Sequence, residues 1–166
     1  LSFQGTDNIA ALLAAQDYYG IPVGTAVGYS IAAAEHSTIT SWGRENETKA
    51  YANMLEQFSK PGALVAVVSD SYDLFNAIEN IWGTELKDKV INFGGTLVIR
   101  PDSGVPSEVV LKSLQLLEKC FGVTVNSKGY KVLPDCVRLI QGDGINLESL
   151  QGIIDVVIEN GYSLDN

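Results

Sequence analysis

Apolar positions along the chain follow two alternating patterns. Short runs rich in β-branched or apolar residues, Thr25 to Ile31, Ala63 to Val68, Thr96 to Ile99 and Cys136 to Ile140, are separated by longer stretches with helical spacing. This alternation predicts βα units and a mainly parallel sheet, an α/β fold. Thr6 or Asp7 can cap a helix through about Tyr19, ended by Gly20 and Pro22. Further helices are expected from about Glu45 to Phe58, from a cap at Ser69 or Ser71 to Trp82 with Gly83 as its stop, and near Glu85 to Val90. Pro106 suits the first turn of the next, which runs to about Phe121, and the last spans Leu147 to Glu159. Val123 to Val132, centred on Asn126-Ser127-Lys128-Gly129, breaks the rhythm and reads as a hairpin. No long repeat, low-complexity tract or linker interrupts the 166 residues, so one domain is expected.

Composition narrows the function. A hydrophobic content of 46% supports one sizeable core and argues against disorder. Twenty Asp and Glu against eleven Lys and Arg give a net charge of −9, so a nucleic-acid or anionic-membrane surface would work against the overall field. The apolar runs are strand-sized, far below the ~20 residues that span a bilayer. Cys120 and Cys136 form no C-x-x-C pair and have no histidine nearby, which argues against a disulfide framework or zinc site and favours a reducing cytoplasm. Asn46-Glu47-Thr48 fits a glycosylation acceptor, a pattern without meaning unless the chain is secreted. Leu1-Ser2-Phe3-Gln4 shows no initiator Met and no basic region leading into an apolar stretch. The expectation is no signal peptide and an internal piece of a longer chain.

The placement of unusual residues carries the chemistry. Asp7, His36, Asp70, Arg100 with Asp102, and Gly142 with Asp143 all sit where a predicted strand has ended. Parallel α/β folds build ligand sites at the carboxyl ends of their strands, and each exit leads toward helix N–H groups that take up phosphate oxygens. Each residue also has a structural explanation. Asp7 can be only a helix cap, His36 only a satisfied structural histidine, and Asp70 with Asp73 only the start of a helix. Arg100-Pro101-Asp102-Ser103-Gly104 puts a guanidinium, a carboxylate and a hydroxyl within one turn, which suits ribose and phosphate recognition better than turn-making alone. Gly142-Asp143-Gly144 allows close backbone approach to a ligand, and an ordinary tight turn explains it nearly as well. Trp42, Trp82 and the tyrosines at helical spacing are expected in the core or an interface.

Six segments, in order and at matching spacing, carry a resemblance over essentially the whole chain. They are Gly5-Thr6-Asp7, Gly28-Tyr29-Ser30 with Ala33 to Thr40, Ser69 to Asp73, Ile99 to Gly104, Asn126 to Lys131, and Gln141 to Gly144. Together they resemble the nicotinamide phosphoribosyltransferases. The resemblance implies part of an irregular α/β barrel of the type II phosphoribosyltransferase kind, in a cytoplasmic homodimer of longer subunits. It also implies transfer of phosphoribosyl from phosphoribosyl pyrophosphate to nicotinamide, giving nicotinamide mononucleotide and pyrophosphate with Mg2+, as a step of NAD biosynthesis.

Carried over residue by residue, it makes Asp7 the acceptor for the carboxamide NH2, a charge filter against nicotinate. It places Arg100 and Pro101 near the carboxamide and pyrophosphate, and gives the ribose hydroxyls to Asp102, Gly142 and Asp143. His36 becomes the histidine phosphorylated by ATP, oriented by Asp70. Ala66 stands where family members carry a serine near the carboxamide. The aromatic residues that sandwich the pyridine ring, an upstream arginine for the phosphates and the downstream glycine-rich phosphate loop have no counterpart here, so the isolated piece is expected to be inactive. Nicotinate phosphoribosyltransferase and a non-catalytic α/β ligand-binding module are the competing readings.

Overall fold

The computed structural model describes residues 10–25, 30–58 and 60–166. The chain divides into two compact units, 1–31 and 32–166. In the first, α1 spans Ala10–Tyr19, as the apolar spacing predicts. Its expected caps, Thr6 and Asp7, lie outside the described residues, as do Gly28 and Tyr29. Of the strand expected over 25–31, positions 26–29 also lie outside them, and Thr25, Ser30 and Ile31 belong to no strand.

The second unit is built on four parallel strands: β1 (Ala32–Ala34), β2 (Leu64–Val68), β3 (Thr96–Arg100) and, after a hairpin, the strand Val137–Leu139. The hairpin pairs β4 (Thr124–Val125) with β5 (Lys131–Val132), so the last sheet strand is β6. Sheet order is β1-β2-β3-β6, the order of the chain, with no reversal. β1 is three alanines, poor strand formers, held in register by Ala32↔Val65 and Ala34↔Val67.

The connections are helical. His36–Thr40 forms α2, a single 3-10 turn covers Arg44–Asn46, and α3 runs Glu47–Phe58. After β2, α4 (Leu74–Asn76) opens at Asp73, whose carboxylate accepts from the Asn76 N–H at 3.0 Å. The cap is therefore neither Ser69 nor Ser71. The helix continues as a π-helical stretch, Ala77–Glu85, and α5 (Lys87–Asn92) leads into β3. Pro106 opens α6 (Pro106–Phe121). The final helix, α7 (Leu147–Glu159), starts at an Asn146–Ser149 capping box.

Gly83 does not stop its helix; the π-helical stretch passes through it. A Cβ there would lie 2.3 Å from the Cys120 Sγ and 2.8 Å from the Ile78 carbonyl, so glycine is required by close packing against α6.

Alternation along the strands sorts the sheet into two faces. Ala34, Val65, Val67, Leu97, Ile99 and Val137 join one core with buried residues of α3, the π-helical stretch, α5 and α6. Within it, Trp82 stacks on Tyr51 with ring centroids 4.6 Å apart and 15° between planes. The Trp82 indole donates to Ser69 Oγ (3.1 Å), which in turn donates to the Val67 carbonyl (2.9 Å). The opposite face carries the row Ala33, Ala66, Val98, Arg138 in register. Trp82 is fully buried as expected, whereas Trp42 is substantially exposed.

Two outcomes test this packing. Gly83→Ala should destabilise the fold by about 1–3 kcal/mol in urea unfolding, and adding Cys120→Ala should recover only part of it, because the Cys120 Cβ and Ile78 carbonyl still crowd the new methyl. Glu47 is buried beside Tyr51, whose hydroxyl donates to it at 2.8 Å. Burial raises its carboxyl above the ordinary value of 4.5, although that hydrogen bond and Arg44 oppose the shift. A raised acid favours the folded state below its unfolded pKa, and that contribution is lost as pH climbs through the folded value. Glu47→Gln should therefore gain on the parent in thermal melts at pH 7 relative to pH 4.

Candidate active site

Three adjacent parallel strands deliver their next residues to one place. β1 is followed by Glu35 and His36, β2 by Ser69, Asp70 and Ser71, and β3 ends in Arg100 and continues to Pro101, Asp102 and Ser103. The bond from the Ser69 N–H to the Arg100 carbonyl (2.9 Å) extends the β2–β3 pairing to the edge of the site.

Asp70 ties the loops together. One carboxylate oxygen, Oδ2, accepts from the Asp102 backbone N–H at 2.9 Å and the Ser103 hydroxyl at 2.5 Å. The side chain is only 4% exposed, and its other oxygen, Oδ1, is buried 3.7 Å from His36 Nε2 with no hydrogen-bond partner among the described residues. The Asp102 amide and the Ser103 hydroxyl offset part of the cost of taking that carboxylate out of water.

His36 is the first residue of α2 and keeps 43% of its side chain exposed. Its Nε2 lies 3.2 Å from Asp102 Oδ2, and its Nδ1 lies 3.2 Å from Ser71 Oγ. Arg100 donates from Nη1 to Glu35 Oε1 (2.7 Å) and from Nη2 to Asp102 Oδ1 (3.1 Å). Burial disfavours its charge, yet the hydrogen bonds to Glu35 and Asp102 outweigh that and raise the guanidinium pKa further. Asp102 thus bridges a guanidinium on one oxygen and an imidazole on the other.

The structure brings together His36, Asp70, Arg100 and Asp102, with Pro101 buried between two of them. Gly142 and Asp143 are exposed on the loop after β6, the neighbour of β3, at the same end of the sheet. The Asp143 carbonyl accepts from the Gln141 side chain at 3.0 Å, so this loop is organised locally rather than by the His36 group. Asp7 lies outside the described residues. Two partners were not anticipated: Glu35 as the counter-ion of Arg100, and Ser71 as the neighbour of His36 Nδ1. Glu35 follows β1 directly, but β1 is not among the strands that hydrophobic spacing predicts, so nothing local marks Glu35 as a site residue. Among the described residues, no group of three or more His, Cys, Asp or Glu is placed to hold a metal, and no helix is long and apolar enough to cross a membrane.

A profile of the Nicotinate phosphoribosyltransferase (NAPRTase) family matches residues 1–164. The chain belongs to the nicotinate phosphoribosyltransferase family. A family relative named nicotinamide phosphoribosyltransferase, from Xanthomonas campestris pv. campestris (strain 8004), is 58% identical over 166 residues, covering 100% of this chain and 35% of its own length. Proteins of the same name from Mycoplasma pneumoniae (strain ATCC 29342 / M129 / Subtype 1) and Acinetobacter baylyi (strain ATCC 33305 / BD413 / ADP1) are 32% and 31% identical over 177 and 184 residues. Each match takes in 99% of this chain and 36% of the relative. The chain therefore spans about a third of the length of the curated relatives it matches.

Asp70→Ala would strip two donors of their acceptor. The Asp102 amide should then exchange with solvent at least tenfold faster by hydrogen-exchange NMR, and the fold should lose about 1–3 kcal/mol. Unchanged protection of Asp102 would show that Asp70 does not hold this loop.

Proposed function

We propose that the chain forms part of the active site of a nicotinamide phosphoribosyltransferase, a cytoplasmic homodimer of longer subunits, and that the 166-residue piece alone has no turnover. The observation that carries this reading is the meeting of His36, Asp70, Arg100 and Asp102 beyond three adjacent parallel strands, in a chain 58% identical to a relative of that name. Strands in chain order with a core on one face support an arc of an α/β barrel of the type II phosphoribosyltransferase kind, rather than a doubly wound sheet.

In the reaction, the pyridine nitrogen of nicotinamide bonds to the anomeric carbon of phosphoribosyl pyrophosphate. The carbon–oxygen bond breaks and its electron pair leaves with pyrophosphate. Positive charge gathers on the ribose and negative charge on the leaving group, so placement and electrostatics dominate. Asp102, Gly142 and Asp143 hold the ribose hydroxyls. Arg100, steadied by Glu35 and Asp102, uses its remaining donors toward the carboxamide and pyrophosphate, with Pro101 shaping the turn. Asp7 accepts from the carboxamide NH2 and repels the carboxylate of nicotinate. Mg2+ tends to bind substrate phosphates with few protein carboxylates, so the ion enters with the pyrophosphate and no residue of this chain is assigned as its ligand. It would neutralise charge on the leaving group. ATP phosphorylates His36, which Asp70 and Asp102 orient, and this couples ATP hydrolysis to nucleotide formation.

The test uses the full-length protein that contains this sequence. With phosphoribosyl pyrophosphate, Mg2+ and ATP it should make mononucleotide from nicotinamide in strong preference to nicotinate, and Asp7→Ser should relax that preference. His36→Ala should abolish the ATP enhancement and the acid-labile phosphate while leaving slow ATP-independent synthesis. No mononucleotide from either pyridine would refute the assignment.

A further inference from the structure

We propose that Ser71 is a positioning residue: its hydroxyl donates to His36 Nδ1, fixes that nitrogen as the one that bears the lone pair, and yields the lone pair to the phosphoryl donor. The inference begins with the two sides of one imidazole. Among the described residues, Nε2 faces only carboxylates, Asp102 Oδ2 at 3.2 Å and Asp70 Oδ1 at 3.7 Å. Ionised carboxylates accept and do not donate, so Nε2 carries a proton whether the ring is neutral or charged. In the neutral ring the lone pair must then lie on Nδ1. The group facing Nδ1 is the Ser71 hydroxyl at 3.2 Å, which can turn its hydrogen toward a lone pair.

Ser71 reaches this position because β2 ends at Val68 and the helix does not begin until Asp73 caps it. The intervening residues are free of helical geometry, and Ser71 is thereby released from the capping role its sequence context suggests. With Asp102 on one edge and Ser71 on the other, the ring is gripped at both nitrogens. Its remaining exposure leaves a path for a phosphate donor.

This role deepens the reading in which His36 receives a phosphoryl group, and rests on it only for the chemical step. In that step the Nδ1 lone pair bonds to the terminal phosphorus of ATP. The bond from that phosphorus to the bridging oxygen breaks, and its electron pair departs with ADP. The Ser71 hydroxyl rotates off Nδ1 as the donor arrives, which frees the lone pair, and its proton stays on its oxygen and turns to a phosphoryl oxygen. The Nε2 proton remains against Asp102 and Asp70, whose charges offset the positive ring.

Two measurements on the full-length protein separate the orientation from the chemistry. With 15N-labelled histidine, the His36 signals being those absent from His36→Gln, Nδ1 should be unprotonated and hydrogen-bonded. Ser71→Ala should move its resonance downfield and Ser71→Thr should keep it in place. A proton on Nδ1 in the parent, or no movement in Ser71→Ala, overturns the proposal. With γ-labelled ATP, Ser71→Ala should take up acid-labile phosphate about three- to tenfold more slowly at saturating ATP, with Ser71→Thr near the parent. Equal rates in parent and Ser71→Ala would also overturn it. If the parent takes up no label while the NMR result holds, the phosphohistidine reading fails and the orienting role of Ser71 stands.

Discussion

A single buried carboxylate oxygen joins two strand exits. Asp70 Oδ2 takes the Asp102 N–H and the Ser103 hydroxyl, so the loop after β3 is fastened to the residue after β2. Asp102 then reaches His36 and Arg100, and Arg100 reaches Glu35 beyond β1. Take away that oxygen and the chain of contacts across three strands loses its fixed point. Its cost is a carboxylate held almost out of water, whose other oxygen has no hydrogen-bond partner among the described residues and lies 3.7 Å from His36 Nε2.

The sheet makes this possible by parallel register. Val67↔Ile99 and Val68↔Arg100 set Asp70 level with Asp102, and a slip of one residue would send either side chain to the opposite face. The register is maintained from below by the apolar core, where Val65, Val67, Leu97 and Ile99 pack with α3 and the π-helical stretch. Stability and site geometry are two results of the same packing.

Much of this was legible in the sequence. Every helix but the short α2, the hairpin and three of the four sheet strands follow from hydrophobic spacing, and the strand-exit rule marks His36, Asp70, Arg100 and Asp102. What it missed has physical causes. β1 is a run of alanines whose strand character comes from pairing with β2, a non-local effect that local propensity does not contain. Gly83 looks like a helix terminator until the Cys120 sulfur is seen against it. Ser71 and Asp73 compete for the same cap, and spacing alone does not choose between them. Glu35 carries no local mark of its role because its partner, Arg100, lies 65 residues away.

The bond between the Trp82 indole and Ser69 places a natural fluorophore one residue from Asp70, while its ring lies in the core against Tyr51. Displacement of the β2 exit changes the polarity felt by that indole, so events at the site acquire an optical signature without any attached dye. Trp42, being substantially exposed, is open to collisional quenchers that do not reach Trp82, which lets the two emissions be told apart.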